Sequence, residues 1–369
     1  MKKTIIVLPT YNEFGNIEKV IESIFDQQKK IDNWLIEILV VDSSSPDSTG
    51  KAVKALQKKY SGKLHLLETK KEGLGKAYYQ GFQYALEKIK PFVIFEMDAD
   101  LSHDPKEIVP FLRSIEKGAD FVIGSRYIKE GSIPSNWGWH RKLFSVIGNF
   151  VVKAGFMKFA IKDWTSGYRA MKIWMVNSSL DYVKKYSGYV FQIALLDQAI
   201  KKNARIKEIP IQFTDRKYGK SKIFFGQYIF QIFSYILINS SFIKYVIVGL
   251  SGFVIDFGLS YIFIERMHSL IWLATLISAE TAIISNFFLN NYWSFAYKKI
   301  AGGFLSYVPK FAKFNLVSVG ALVIQAVGIQ LLVNIFGKDL WYVYKALILG
   351  LVVIPYSYIL YNKVIWKEK

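Results

Sequence analysis

"VIFEMDADLSHDP", residues 93–105, carries an apolar run into three acids, Asp98, Asp100 and Asp104. A short apolar run closed by a polar turn reads as a buried strand. Side chains alternate along an extended chain, so the carboxylates of Asp98 and Asp100 project the same way. Two carboxylates held together repel unless a cation lies between them. Hard divalent ions take oxygen ligands, and Mg²⁺ is held by one or two carboxylates plus phosphate oxygens. Asp104 has a different reading, because Asp104-Pro105 matches a helix N-cap followed by a first-turn proline. The pair Asp98 and Asp100 therefore points to Mg²⁺ or Mn²⁺ holding a diphosphate.

Working outward, "TIIVL" (4–8), "EILVV" (37–41), "KLHLL" (63–67) and "FVIFE" (92–96) read as strands. Helical patterns at about 16–28, 48–60 and 74–88 separate them. Such alternation predicts an α/β domain with a Rossmann-like, mostly parallel sheet covered on both faces. Ligands in these sheets bind beyond the carboxyl ends of the strands. Those ends are Pro9, Thr10, Tyr11, Asn12 and Glu13; Asp42 and Ser43; the glycine loop Gly73-Leu74-Gly75; and Asp98 to Asp100. Four polar strand ends on one edge predict a nucleotide crevice. His103 and His140 lack a partner at metal-ligand spacing, and Asp163 reads equally as a ligand-orienting acid or a turn residue.

The second half has another composition. Four apolar runs, roughly 242–264, 270–291, 314–336 and 341–361, each reach the length of about 20 residues that crosses a hydrocarbon core. The connection between the second and third carries Lys298, Lys299, Lys310 and Lys313, and the tail carries Lys363, Lys367 and Lys369. Basic loops stay cytoplasmic, so an integral, multi-pass protein with catalytic half and C-terminus in the cytoplasm is expected. The absence of a secretory pattern before "TIIVLP" agrees. The expected organisation is a catalytic domain over 1–220, an amphipathic interface helix over 221–240 and a membrane domain over 241–369. Asp256 and Glu280 are costly inside lipid, and pairing with Lys244 or Asn286 is expected.

Net charge is +19; residues 1–240 hold 37 Lys and Arg against 24 Asp and Glu, for +13. A basic half tethered to a bilayer points to anionic lipid and phosphates rather than to nucleic acid. The chain has no cysteine, which excludes disulfides and thiol catalysis.

Taken together, "LPTYNE" (8–13), "VVDSSSPDST" (40–49), "GLGKAY" (73–78), "MDADLSHDP" (97–105), "GSRY" (124–127), "TSGYRA" (165–170), "GYVFQ" (188–192) and "DRKYGKSK" (215–222) resemble dolichyl-phosphate mannosyltransferases. These are inverting glycosyltransferases with the A-type (GT-A) fold. Residues 240–365 resemble the four-span GtrA-like module carried by some prokaryotic members. The resemblance implies transfer of mannose from GDP-mannose to the phosphate of a membrane polyprenol such as dolichyl phosphate. It implies that Pro9, Tyr11, Glu13, Val41, Asp42, Ser43, Asp98, Ala99, Asp100 and Arg126 line the donor. It further implies that Asp98, Asp100 and Ser102 serve the metal, and that Arg141, Ser145, Arg216 and Lys222 hold the acceptor phosphate. Asp100, Arg126 and Arg216 would carry the chemistry. Family members commonly show Asp-Asp after the second strand, where this chain has Asp42-Ser43.

Physical chemistry supports a phosphate acceptor. A hydroxyl nucleophile needs a general base, whereas a phosphate monoester is already anionic and needs positioning and charge neutralisation. Arg216, Lys217, Lys220 and Lys222 lie just before the aromatic stretch "IFFGQYIFQIFSYIL", which reads as an interfacial helix. UDP-glucose as donor keeps every phosphate contact and is the first alternative. A lipid-linked sugar flippase with an accessory soluble half, self-associated in the membrane, is the second. A processive polysaccharide synthase is excluded, since no Arg-Trp pair occurs in the chain.

Overall fold

The computed structural model describes residues 1–215 and 225–367, with side chains 225–228 left aside. Its chain divides into two compact units, Met1–Tyr235 and Ile236–Lys369.

Among the described residues of the first unit, seven strands form one sheet in the order β3-β2-β1-β4-β6-β5-β7. The strands are β1 (Lys2–Thr10), β2 (Trp34–Asp42), β3 (Leu64–Glu68), β4 (Val93–Glu96), β5 (Phe121–Ser125), β6 (Arg169–Lys172) and β7 (Ile206–Pro210). The first four are parallel, as their continuous apolar character predicts, and Ile5 to Leu8, Ile36, Ile38 to Val41 and Val93 to Phe95 are buried. Strand β6 departs from the expected pattern, running antiparallel between β4 and β5. Its consequence is positional. The amino end of β6 lies beside the carboxyl end of β4, with Glu96 opposite Arg169.

Helices α1 (Phe14–Gln27), α2 (Thr49–Lys59), α3 (Leu74–Tyr84), α4 (Ile108–Glu116), α5 (Trp139–Phe156), α6 (Ile173–Val183) and α7 (Val190–Lys201) belong to this unit. Helix α1 shows the rule most simply. Ile17, Val20, Ile21 and Ile24 recur at the helical period and are all buried. The strand order reverses between β1 and β4, so the ligand crevice of an open α/β sheet falls beyond their carboxyl ends.

The glycines at the start of α3 have a packing role. A Cβ on Gly75 would lie 2.5 Å from the Tyr186 carbonyl oxygen and 2.7 Å from the Phe191 Cβ. The Gly75 N–H donates to the Ser187 carbonyl at 2.7 Å. Gly73 holds φ +100°, which a side chain disfavours.

Helix α8 (Phe225–Asn239) contains the division between the units. Its Tyr235 is buried and donates to Asp197 of α7 at 2.7 Å, while Phe230 and Phe233 stay exposed.

In the second unit, among the described residues, four helical stretches are long and apolar enough to cross a membrane: Ser241–Arg266, Ile271–Ser294, Phe304–Phe336 and Trp341–Ile365. They match the four apolar runs with one correction. Lys310 and Lys313 lie inside helix α11 (Val308–Phe336), numbered after α9 (Ser241–Tyr261) and α10 (Ile271–Leu289), rather than in a loop. A helix of 29 residues is about 43 Å long, against a hydrocarbon core of about 30 Å, so its basic first turns have room at headgroup depth. Asp256 takes its hydrogen bond from Ser278 at 2.7 Å, in place of the expected Lys244 or Asn286. Ser278 also shares a hydrogen bond with Ser260. Glu280 faces outward from α10.

Candidate active site

Six strand ends meet at one edge. Strands β1, β2 and β4 deliver Pro9 to Glu13, Asp42-Ser43 and Asp98 to Asp100 there. Strand β5 delivers Arg126 to the same edge, and β7 delivers Phe213 to Asp215. Antiparallel β6 brings Thr165 to Tyr168 in from the opposite direction.

The loops after β1 and β2 are laced together. Asp42 is buried and accepts from Thr10 Oγ1 at 2.9 Å, Ser45 N at 3.0 Å and Ser45 Oγ at 2.5 Å. The predicted donor residue Asp42 thus holds the two loops in place. Asp47 accepts the Phe14 N–H at 3.0 Å, and Thr49 Oγ1 accepts the Glu13 N–H at 3.0 Å. Asn12, Ser44 and Ser48 all have left-handed backbone, a strain that tightly bonded loops tolerate. Val41 and Ser43 are buried, while Pro9, Tyr11 and Glu13 are half-buried at the rim. The Lys71 ammonium stands 3.7 Å from the Tyr11 ring centroid, adding a cation the sequence reading did not place.

At the end of β4, Asp98 keeps 35% of its side chain exposed, whereas Asp100 is buried. Asp100 Oδ1 accepts the Ser102 N–H at 3.0 Å, and Leu101 between them takes φ +64°. Ser102 is buried and contributes this backbone donor. Asp104 caps the following turn, accepting the Lys106 N–H at 2.9 Å. His103 lies behind the pair, with Nδ1 accepting the Asp98 N–H at 3.0 Å. Burial lowers the His103 pKa to about 4, against the pull of Asp100, so the ring is neutral. Glu96, two residues before Asp98, is fully buried and lies 3.8 Å from the Arg169 guanidinium. Burial raises its pKa to about 7, with Arg169 acting the other way. Glu96, which the sequence reading did not single out, ends β4, and Asp98 and Asp100 stand in the loop beyond it rather than on the extended strand expected of them.

Among the described residues, no group of three or more His, Cys, Asp or Glu side chains is arranged to hold a metal. The donor set therefore does not form a closed protein cage. Two carboxylates fit a hard divalent ion that completes its shell with diphosphate oxygens and water.

Arg126 is committed to Asp163. Its Nε donates to Oδ2 and its Nη2 to Oδ1, both at 2.8 Å, and Nη2 also reaches Thr165 Oγ1 at 2.8 Å. Asp163 is fully buried and accepts further from the N–H groups of Arg126, Thr165 and Ser166. Burial would push the Asp163 carboxyl up; the Arg126 charge and these bonds outweigh it and hold the pKa below the ordinary carboxylate value. Of the two sequence readings of Asp163, the structure shows the organiser of a turn.

Arg141 and Ser145 stand one turn apart on α5. Ser145 Oγ shares a hydrogen bond of 2.6 Å with Tyr127 OH, beside Arg126. Arg141 pairs with Asp215 at 3.3 Å, and its guanidinium carbon lies 3.9 Å from the Trp137 ring centroid. Arg216 and Lys222 lie outside the described residues. Helix α5 buries Asn149, Val152 and Phe156 but exposes Trp139, Leu143, Phe144, Ile147 and Phe150. The sequence reading overlooked this apolar face, although its spacing is helical.

Comparison with known proteins gives the family of both halves of the chain. Residues 5–181 match the model of Glycosyl transferase family 2, and residues 244–366 match the GtrA/DPMS transmembrane domain. The dolichol-phosphate mannosyltransferase of Pyrococcus furiosus is 33% identical over 336 residues, covering 88% of each chain. The polyprenol monophosphomannose synthase of Mycolicibacterium smegmatis is 36% identical over 227 residues, 60% of this chain and 81% of that one. The undecaprenyl-phosphate mannosyltransferase of Micrococcus luteus is 33% identical over 222 residues, 60% of this chain and 87% of that one.

Proposed function

The chain belongs to the dolichol-phosphate mannosyltransferases of glycosyl transferase family 2, and we propose that it transfers mannose from GDP-mannose to a membrane polyprenyl phosphate with inversion at the anomeric carbon. One observation carries the acceptor side. Arg141 and Ser145, the residues expected to meet a phosphate, sit on a helix whose outer face is exposed, aromatic and apolar. A cation and a hydroxyl beside an apolar face fit a phosphate on a lipid tail.

The reaction needs no general base. An anionic oxygen of the lipid phosphate attacks the anomeric carbon, and the bond to the diphosphate breaks on the opposite face, its electron pair leaving with the nucleoside diphosphate. A hard divalent ion, Mg²⁺ or Mn²⁺, supplies Lewis-acid neutralisation of that departing charge when bound. Asp98 and Asp100 hold the ion and Ser102 supports them, while the loops ending in Glu13 and Ser43 line the nucleotide. Arg126, fixed by Asp163, presents positive charge near the diphosphate. Arg141 with Ser145, and Arg216 with Lys222, neutralise and orient the incoming phosphate; planar guanidinium suits that task. The four spans anchor the enzyme, and α8, with its exposed phenylalanines, lies at the interface. The basic connection and tail favour a cytoplasmic active site.

Transfer of labelled sugar into an organic-extractable product tests this reading. Purified protein receives polyprenyl phosphate, Mg²⁺ or Mn²⁺, and either GDP-mannose or UDP-glucose. Lipid label from GDP-mannose alone is expected. Label from UDP-glucose alone would keep the mechanism and replace the donor, and no lipid label from either would remove the acceptor.

A further inference from the structure

His103 closes the short loop that begins at Asp98. Its ring is 2% exposed, and Nδ1 accepts the Asp98 N–H at 3.0 Å. An atom that accepts an N–H carries no proton, so the neutral ring is protonated on Nε2. The same lone pair is unavailable to a metal ion, which removes ligation through Nδ1.

Several neighbours fix the ring. It stacks on Tyr168 with centroids 4.8 Å apart and planes 20° from parallel. It meets the edge of Phe213 at 5.5 Å. Its Cε1 would lie 3.7 Å from a Cβ on Gly167, so it packs beside the segment that enters β6. The loop it closes is tied at two further points: Thr214 Oγ1 donates to the Leu101 carbonyl at 3.1 Å, and Thr214 N donates to the Ser102 carbonyl at 3.3 Å. The left-handed Leu101 persists because these bonds over-determine the turn.

We propose that His103 is a positioning residue for the carboxylate pair, accepting the Asp98 N–H through Nδ1 and thereby fixing the turn that carries Asp98 and Asp100. The proposal rests on the reading of that pair as the metal holder. Without the acceptor, a part-buried N–H loses this hydrogen bond and the turn relaxes towards less strained backbone. The carboxylates then lose their common placement.

Two substitutions separate this role from mere space-filling. In H103N the amide oxygen comes near the position of Nδ1; in H103Q the longer side chain carries it towards that of Nε2. Full-length protein in detergent is titrated with Mn²⁺ in the presence of GDP, with binding read by electron paramagnetic resonance and melting temperature recorded alongside. H103N is expected to keep Mn²⁺ affinity within about threefold of the parent, and H103Q to lose about tenfold or more. At saturating Mn²⁺ the kcat of H103Q should recover more than its metal affinity does. Parent-like Mn²⁺ binding in H103Q would overturn the proposal. So would a tenfold loss in folded H103N, which alone decides the matter if H103Q does not fold. Asp100→Ala distinguishes the two layers. If it retains Mn²⁺ binding, the metal reading itself falls; if it loses binding while both His103 variants keep it, only the role of His103 falls.

Discussion

Arg126 and Asp163, 37 residues apart in sequence, form a two-pronged ion pair with Nε on Oδ2 and Nη2 on Oδ1, both at 2.8 Å. The acid is fully buried and the arginine side chain nearly so. The pair joins the end of β5 to the turn that enters β6, so the guanidinium is already oriented before any ligand arrives. An arginine held in this way loses little freedom when a diphosphate binds beside it.

Breaking that pair should cost stability as well as turnover. Asp163→Ala leaves a buried guanidinium uncompensated, and a loss of about 3–5 kcal/mol is expected. Chemical denaturation monitored by tryptophan fluorescence measures it. Stability within 1 kcal/mol of the parent would mean that the carboxylate does not hold Arg126.

The three acids of 98–104 should separate by role. Asp98→Ala and Asp100→Ala are each expected to lower turnover by about two orders of magnitude or more with the fold retained. Chelation of divalent ions should silence the parent enzyme, and Mg²⁺ or Mn²⁺ should restore it. Asp104→Ala removes only a cap and should cost about 1 kcal/mol of stability while leaving the metal dependence unchanged. Near-normal rates in Asp100→Ala would sink the metal assignment.

Glycine substitutions test the packing beneath α3. A Cβ on Gly75 meets backbone oxygen and a neighbouring Cβ at 2.5 and 2.7 Å, neither of which yields cheaply. Gly75→Ala should therefore destabilise by about 1–3 kcal/mol. Gly148, inside α5, has nothing within 4 Å of the added atom. Gly148→Ala should be neutral or stabilising by up to about 1 kcal/mol, read as a melting-temperature shift.

Acid should weaken the catalytic unit through two buried carboxylates. Burial alone would raise the pKa of Asp120, but hydrogen bonds from Arg205 and Lys172 outweigh it and hold the group far below its ordinary value. Asp163 is lowered for the analogous reason, through Arg126. A pKa lower in the folded state than in the unfolded one gives stability that is present above about pH 4. That stability is lost as pH falls through the folded values. Melting temperature should thus drop below pH 4, and Asp120→Asn should flatten part of the decline.

Orientation follows from single cysteines placed in this cysteine-free chain. His268→Cys and Ala301→Cys lie in the first and second connections between spans. In inside-out vesicles, a membrane-impermeant maleimide should label position 301 and spare 268. The reverse pattern would place the catalytic unit on the other side.

Much of this molecule was legible in one dimension. The strands of the parallel half show as β-branched runs, α1 as a 3.6-residue period, and the spans as apolar length; each is a property of neighbouring residues. The acids at 98 and 100 were readable as a candidate pair because their place just after an apolar run is local too, although the strand itself ends at Glu96. The packing role of Gly75 was not readable in one dimension, because it is required by the approach of Tyr186 and Phe191, more than a hundred residues away. Helix α5 was passed over although Trp139, Leu143, Phe144 and Ile147 have helical spacing, since only burial elsewhere shows which apolar face is left outside.

Sequence by itself thus determined the alternating fold and the four spans and singled out the acid pair as a candidate site, all of which rest on short-range pattern along the chain. Tertiary structure alone decided that β6 runs antiparallel, that Arg126 is held by Asp163, that His103 supports Asp98 from behind, and that Arg141 and Ser145 share a helix with an exposed apolar face. Those facts depend on which distant segments bury one another. Packing selects them: a local period can set residues on one helix face, but only burial elsewhere decides which face is left outside.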